Sequence, residues 1–127
     1  KKSMVMEIKY KIWIEKKGKV IFGHGREELF QAIDECHSLN AAAKKLGMSY
    51  RAAWGRLRAS EERLGVKLVE SDTAKKGMTL TPAAKGLLDK FQRLEKDADA
   101  YIKRTSHELS TLLAGDAKTE AEEGKSD

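Results

Sequence analysis

Arg51 and Arg58 lie seven residues apart in the stretch SYRAAWGRLR, with Tyr50, Trp54 and Gly55 on the same helical side. Guanidinium forks recurring every second turn, interleaved with aromatic rings, suit the edge of a nucleic-acid groove. Arginine reaches guanine O6 and N7 or clamps a phosphate, and tyrosine and tryptophan pack on sugars or thymine methyls. Ser49 precedes them and would offer phosphate donors together with the free amides at the positive end of a helix. Gly55 leaves room for backbone or base to come close. The candidate DNA-facing set is therefore Ser49, Tyr50, Arg51, Trp54, Gly55 and Arg58. Against it stands the plainer reading that Trp54 is a core aromatic, and Arg56 and Arg63 fall on a solvated flank.

Such a face works only if a helix pair holds it. Ser49 caps a helix running to about Leu64, which Gly65 closes; Ser38 or Asn40 caps the shorter AAAKKLG, which Gly47 closes. Two helices joined by a tight glycine turn have helix-turn-helix spacing. Ala42, Ala43 and Leu46 let the first helix approach closely, while Ala53, Leu57 and Leu64 form the buried stripe of the second. Next, VKLVESDTAKKGMTLT reads as strands at Val66 to Glu70 and Met78 to Leu80 around a loop tip with Lys75, Lys76 and Gly77. A basic hairpin in that place is a wing, and Lys75 and Lys76 are its candidate phosphate contacts.

Upstream, Ile8, Tyr10, Ile12 and Ile14 alternate with Lys9, Lys11 and Trp13, the period of a half-buried strand. EKKGK supplies a turn before a second strand at Val20 to Phe22, giving an N-terminal hairpin. A helix follows from Arg26 to His37. Downstream, Thr81 caps Pro82 at the first position of a last helix reaching about Leu113. Leu87, Phe91, Leu94, Ala98 and Tyr101 recur on it at four-three spacing, extended by Thr105 and Leu112, which predicts a seam for pairing with a second copy. The expected fold class is mostly α with small β: a winged helix-turn-helix domain over residues 1–81, a long C-terminal dimerisation helix over 82–113, and a disordered acidic tail over 114–127.

Composition supports this reading and excludes others. The 127 residues are 40% hydrophobic and 35% charged, with one proline and a net charge of +5. The last fourteen residues hold a surplus of acids, so the preceding body carries about +8. A basic body favours a polyanionic partner. The lone Cys36 excludes an internal disulfide framework, and no apolar run approaches the roughly 18 residues of a membrane span. We expect a cytoplasmic protein with no membrane partner. His24, His37, His107 and Cys36 lack metal-ligand spacing, and there is no phosphate loop or nucleophile motif, so no cofactor, no metal and no enzyme activity is expected.

The stretch SLNAAAKKLGMSYRAAWGRLRASEERLGVKLVE, followed by LTPAAKGLLDKF, resembles the DNA-binding domain of LysR-type regulators and the N-terminal domain of the molybdate-responsive ModE regulators. GMSYRAAW and the hairpin EIKYKIWIEKKGKVIFGHG bring it nearer the ModE-like winged-helix proteins. The resemblance covers roughly Glu7 to Tyr101. It implies groove-facing positions at Ser49, Tyr50, Arg51, Trp54 and Arg58, a wing at Lys75 to Met78, and a paired last helix. Two departures stand out: Ser60 occupies a usually apolar position, and the wing lacks a glycine-rich run. Full-length ModE proteins continue into molybdate-binding domains; here an acidic tail follows, so no molybdate-binding domain is expected in this chain.

These readings converge on a homodimeric, sequence-specific regulator of transcription that binds double-stranded DNA. The alternative is a winged-helix interaction or dimerisation module without DNA binding. A third possibility is a direct sensor holding an oxyanion or metal at the dimer seam.

Overall fold

A computed structural model describes residues 6–72, 74 and 77–126, with side chains described as far as Gly115 except that of Asp72. In chain order the elements are β1 (Trp13–Lys16), β2 (Lys19–Gly23), α1 (His24–Cys36), α2 (Leu39–Lys45), α3 (Tyr50–Leu64), β3 (Val69–Asp72), β4 (Gly77–Leu80) and α4 (Pro82–Ser126). Contacts divide the chain into two units. One is Ile12–Arg93; the other comprises the described parts of Lys1–Lys11 and Leu94–Asp127.

The first unit is built around aromatic and branched side chains that the sequence spaces at helical and strand periods. Phe22 of β2 meets Phe30 of α1 and Phe91 of α4 edge to face, with ring centroids 5.2 and 5.0 Å apart. Leu29, Ile33, Ala42, Ala43, Ala53, Leu57, Leu68, Leu80, Ala84 and Leu88 complete this core. The helix ends follow their caps. Ser38 Oγ accepts the Ala41 amide at 3.1 Å and Ser49 Oγ the Ala52 amide at 3.0 Å, satisfying donors that a helix start leaves open. Of the two candidate caps for α2, Ser38 is the one used. Gly65 stops α3 in the left-handed conformation at φ 71°, a region costly for other residues.

Both sheets are antiparallel pairs. β3 and β4 pair in register from Val69↔Leu80 to Asp72↔Gly77, forming the expected wing. Its first strand begins at Val69 rather than Val66, and the tip residues Lys75 and Lys76 lie outside the described residues. β1 and β2 pair from Trp13↔Gly23 to Lys16↔Lys19, with an irregularity between Ile14 and Glu15. The long first strand expected from the alternation at Ile8 to Ile14 is therefore corrected. Ladder pairing starts only at Trp13, because β2 ends at Gly23, where the chain turns directly into α1 at His24 rather than at Arg26.

Two further expectations change. Phe91 is 1% exposed, so this position of the expected dimer seam belongs to the protein's own interior, while the half-buried Leu87 packs against the edge of the same core. The backbone is helical to Ser126 where a disordered tail from Ala114 was expected. Residues 114–126 contain no proline and eight of the thirteen are alanine, glutamate or lysine, so helix formers carry the backbone through Gly115.

In the second unit an extended segment lies along α4. The amides of Met6 and Ile8 donate to Ser110 Oγ at 2.7 Å and Ser106 Oγ at 3.3 Å. The Tyr10 hydroxyl donates to Asp99 at 3.1 Å, and Lys103 reaches the same carboxylate at 2.9 Å. Residues 99, 103, 106 and 110 share one helical face, so the segment takes its backbone partners from a helix instead of a strand.

Candidate nucleic-acid interface

α3 carries the site, and its two faces differ in chemistry. Ala53, Leu57 and Ser60 are buried, whereas Tyr50, Arg51, Trp54, Gly55 and Arg58 are exposed. Tyr50 is 53% and Trp54 40% exposed, so neither ring is part of the core. Leu64, expected on the buried stripe, is half-buried. The position that completes the stripe is Ser60, and the fold explains its departure from an apolar type. Its hydroxyl accepts from Arg26 Nε at 2.6 Å and donates to the Ile21 carbonyl at 2.8 Å. One buried hydroxyl thereby ties α1, α3 and β2 together, with no buried side-chain polar atom left unpaired among the described residues.

Within the exposed face the groups are not equivalent. The Arg58 guanidinium lies 5.8 Å from the Trp54 ring centroid and 3.8 Å from both Glu61 and Glu62. Such contacts at an exposed site are weak and screened, so they orient Arg58 without fixing it. Arg51, Tyr50 and Trp54 project from the first turn and a half, where the free amides also lie. Ser49 is next to them, but its oxygen already accepts the Ala52 amide; only its hydroxyl proton is available to an anion. The structure thus brings together Ser49, Tyr50, Arg51, Trp54, Gly55 and Arg58. Of the seam residues it leaves Leu94 and Tyr101 exposed at 47% and 63%, and Ala98 half-buried. Arg63 departs from the solvated flank expected for it: it is half-buried, and its Nη1 donates to the Val20 carbonyl.

Sequence reasoning missed the group that ties the wing to α3. Glu61 Oε2 accepts the amides of Leu68 at 2.9 Å and Val69 at 3.4 Å, so the last turn of α3 caps the start of β3. The signal was an acid in the final turn, shortly before a helix-ending glycine and an apolar strand. At the other side of the wing Thr81 Oγ1 donates to the Lys67 carbonyl at 2.8 Å and accepts the Ala84 amide at 3.2 Å, joining wing and α4. Among the described residues, no helix is long and apolar enough to cross a membrane.

Comparison with known proteins agrees with this geometry. Residues 26–85 match the family of bacterial regulatory helix-turn-helix proteins of the LysR type. The chain is 33% identical over 99 residues to the transcriptional regulator ModE of Haemophilus influenzae, covering 73% of this chain and 39% of that protein. It is 34% identical over 89 residues to the molybdenum transport protein ModE of Herbaspirillum seropedicae, covering 68% and 33%. It therefore spans well under half the length of these relatives. Among solved structures, the complex of the CbnR DNA-binding domain with DNA aligns at a TM-score of 0.53 and 30% identity, over 64% of this chain and 91% of that one. By sequence and by fold, the chain belongs through residues 26–85 to the bacterial regulatory helix-turn-helix proteins of the LysR family.

Proposed function

We propose that this protein is a sequence-specific, double-stranded-DNA-binding regulator of transcription that works in the cytoplasm as a homodimer and catalyses no reaction. One observation carries the reading: the rings and guanidinium groups of α3 are exposed together on a helix whose opposite face is locked into the core. In this reading α3 enters the major groove. Arg51 reads a base edge, Tyr50 and Trp54 pack on sugars or methyl groups, and Arg58 lies over the backbone. The wing segment contacts phosphate through Lys75 and Lys76. Pairing runs through α4 from Leu94 onward, by Ala98, Tyr101, Thr105 and Leu112. A two-fold pair predicts an inverted-repeat operator whose half-sites lie about 34 Å, or a multiple, apart.

Operator fragments selected from genomic DNA and compared with random duplex provide the test. Arg51→Ala is expected to weaken specific binding by about 1–3 kcal/mol per half-site and relax preference at one base pair of each, whereas Lys75→Ala weakens all sequences alike and lowers the salt slope by about one per protomer. Equal, sequence-blind losses in both variants reject base reading by Arg51. Trp54 fluorescence that ignores duplex, with no salt-dependent binding, replaces the reading with that of an interaction module.

A further inference from the structure

The β1–β2 turn and the far flank of α3 form a second cationic surface, distinct from the groove-facing set. Lys17 and Gly18 take left-handed conformations in succession, at φ 53° and 79°, and the flanking Lys16 and Lys19 project from the same tight turn. Lys16, Lys17 and Lys19 are exposed, and with Ala59, Glu62 and Arg63 they line an open concavity of about 450 Å³. Arg56 is exposed one heptad before Arg63 on α3, its Nη1 filling the space that a Cβ on Gly25 would approach to 3.2 Å. Neither those lysines nor Arg56 forms an ion pair with a carboxylate among the described residues, and Glu62, the one acid of the concavity, already faces Arg58.

The hairpin that carries these charges is fixed, not trailing. Ile21 and Phe22 are buried, Arg63 Nη1 donates to the Val20 carbonyl, and the Arg26–Ser60–Ile21 chain of hydrogen bonds anchors the next residue. Like charges crowd behind it: burial, then Arg63 and Arg56, hold the Arg26 guanidinium below its ordinary pKa. Cations gathered without internal counter-charge are relieved by an external polyanion. Lysine ammonium groups act as point charges, which suit phosphates and do not read bases. From Arg51 to Ala59 is eight residues of helix, about 12 Å, comparable to the width of a major groove whose rim is lined with phosphates.

We propose that Lys16, Lys17, Lys19 and Arg56 clamp the phosphate backbone of the same duplex beside the groove that α3 occupies, making the N-terminal hairpin a second, sequence-blind grip. This rests on the reading of α3 as the groove-facing helix.

The test uses the full chain and two duplexes: the selected operator trimmed to its reading half-sites, and the same operator with several flanking base pairs on each side. Binding is measured by anisotropy across salt concentrations for wild type and for the combined variant Lys16→Ala, Lys17→Ala, Lys19→Ala, whose exposed substitutions leave the core untouched. On the long duplex the slope of log affinity against log salt is expected to fall in magnitude by about two to three per protomer, about five for the proposed dimer, since each neutralised phosphate contributes about 0.9. The ratio of operator to random affinity should stay at the wild-type value, and the trimmed duplex should show little change. A variant as salt-dependent as wild type on the long duplex overturns the clamp while leaving α3 as the reading helix. Wild-type protein without salt-dependent binding to either duplex overturns the α3 reading itself, and the clamp with it. Lys16→Glu with Lys19→Glu should deepen the loss on the long duplex; no added effect also argues against the clamp.

Discussion

Phe91 and Tyr101 sit ten residues apart on α4, carry rings of similar size and share one four-three apolar spacing, yet Phe91 is 1% exposed and Tyr101 63%. The same contrast recurs on α3, where Ser60 is wholly buried between Arg26 and the Ile21 carbonyl while Ser49 is exposed and serves its own helix start. Residue type is alike within each pair, and for Phe91 and Tyr101 the spacing too; what differs is whether the rest of this chain reaches the position. Apolar periodicity marks a seam that needs a cover, and the cover is a matter of tertiary structure. For Phe91 it is Phe22 and the core of the Ile12–Arg93 unit. For Leu94 and Tyr101 nothing among the described residues supplies it, which is the basis for proposing a second copy there.

The largest effect that could break this contrast is at Phe91. Phe91→Ala should cost about 3–5 kcal/mol of stability in urea unfolding, because it leaves a cavity beside Phe22 and Leu88. A loss as small as that of a surface substitution would show that the first turns of α4 are not part of the core. Ser60→Ala comes next, at about 1–3 kcal/mol, since it strands both the Arg26 guanidinium and the Ile21 carbonyl. Ser49→Ala removes only a helix cap and should cost about 1 kcal/mol; thermal unfolding of both serine variants ranks the two positions directly. Tyr101→Ala should change monomer stability by less than about 0.5 kcal/mol. Paired with Leu94→Asp it should instead shift the protein toward monomer in sedimentation equilibrium, and an unchanged oligomeric state would remove α4 from the proposed interface.

Much of the fold was legible because it rests on local rules. Ser49 and Gly65 bracket α3, Thr81 and Pro82 open α4, and the small side chains of α2 permit close packing, all by chemistry within a few residues. The exposed set on α3 was legible for the same reason: a helix has fixed angles between residues, so the positions of Ala53 and Leu57 determine where Arg51 and Trp54 point. The extent of the N-terminal strand was not legible. Ile8, Tyr10 and Ile12 alternate as a strand does, but pairing requires a partner, and β2 is too short to offer one before Trp13. The hydroxyls of Ser106 and Ser110 that receive that segment instead lie about a hundred residues away in sequence.

By itself, the sequence determined the helix-turn-helix, the Ser49 cap and the presence of a wing, because each follows from backbone geometry and hydrogen-bonding needs within a few turns. It placed the cations and rings of α3 on one side but left open whether Trp54 was core, and left the α2 cap between Ser38 and Asn40. Only the tertiary structure decided that Phe91 belongs to the interior and Tyr101 to the surface, that Ser60 replaces an apolar residue without leaving a polar group unpaired, and that the hairpin lysines stand beside Arg63. Those outcomes depend on contacts between residues distant in the chain, where the free energy of burial and of pairing is set by what arrives, not by what is adjacent.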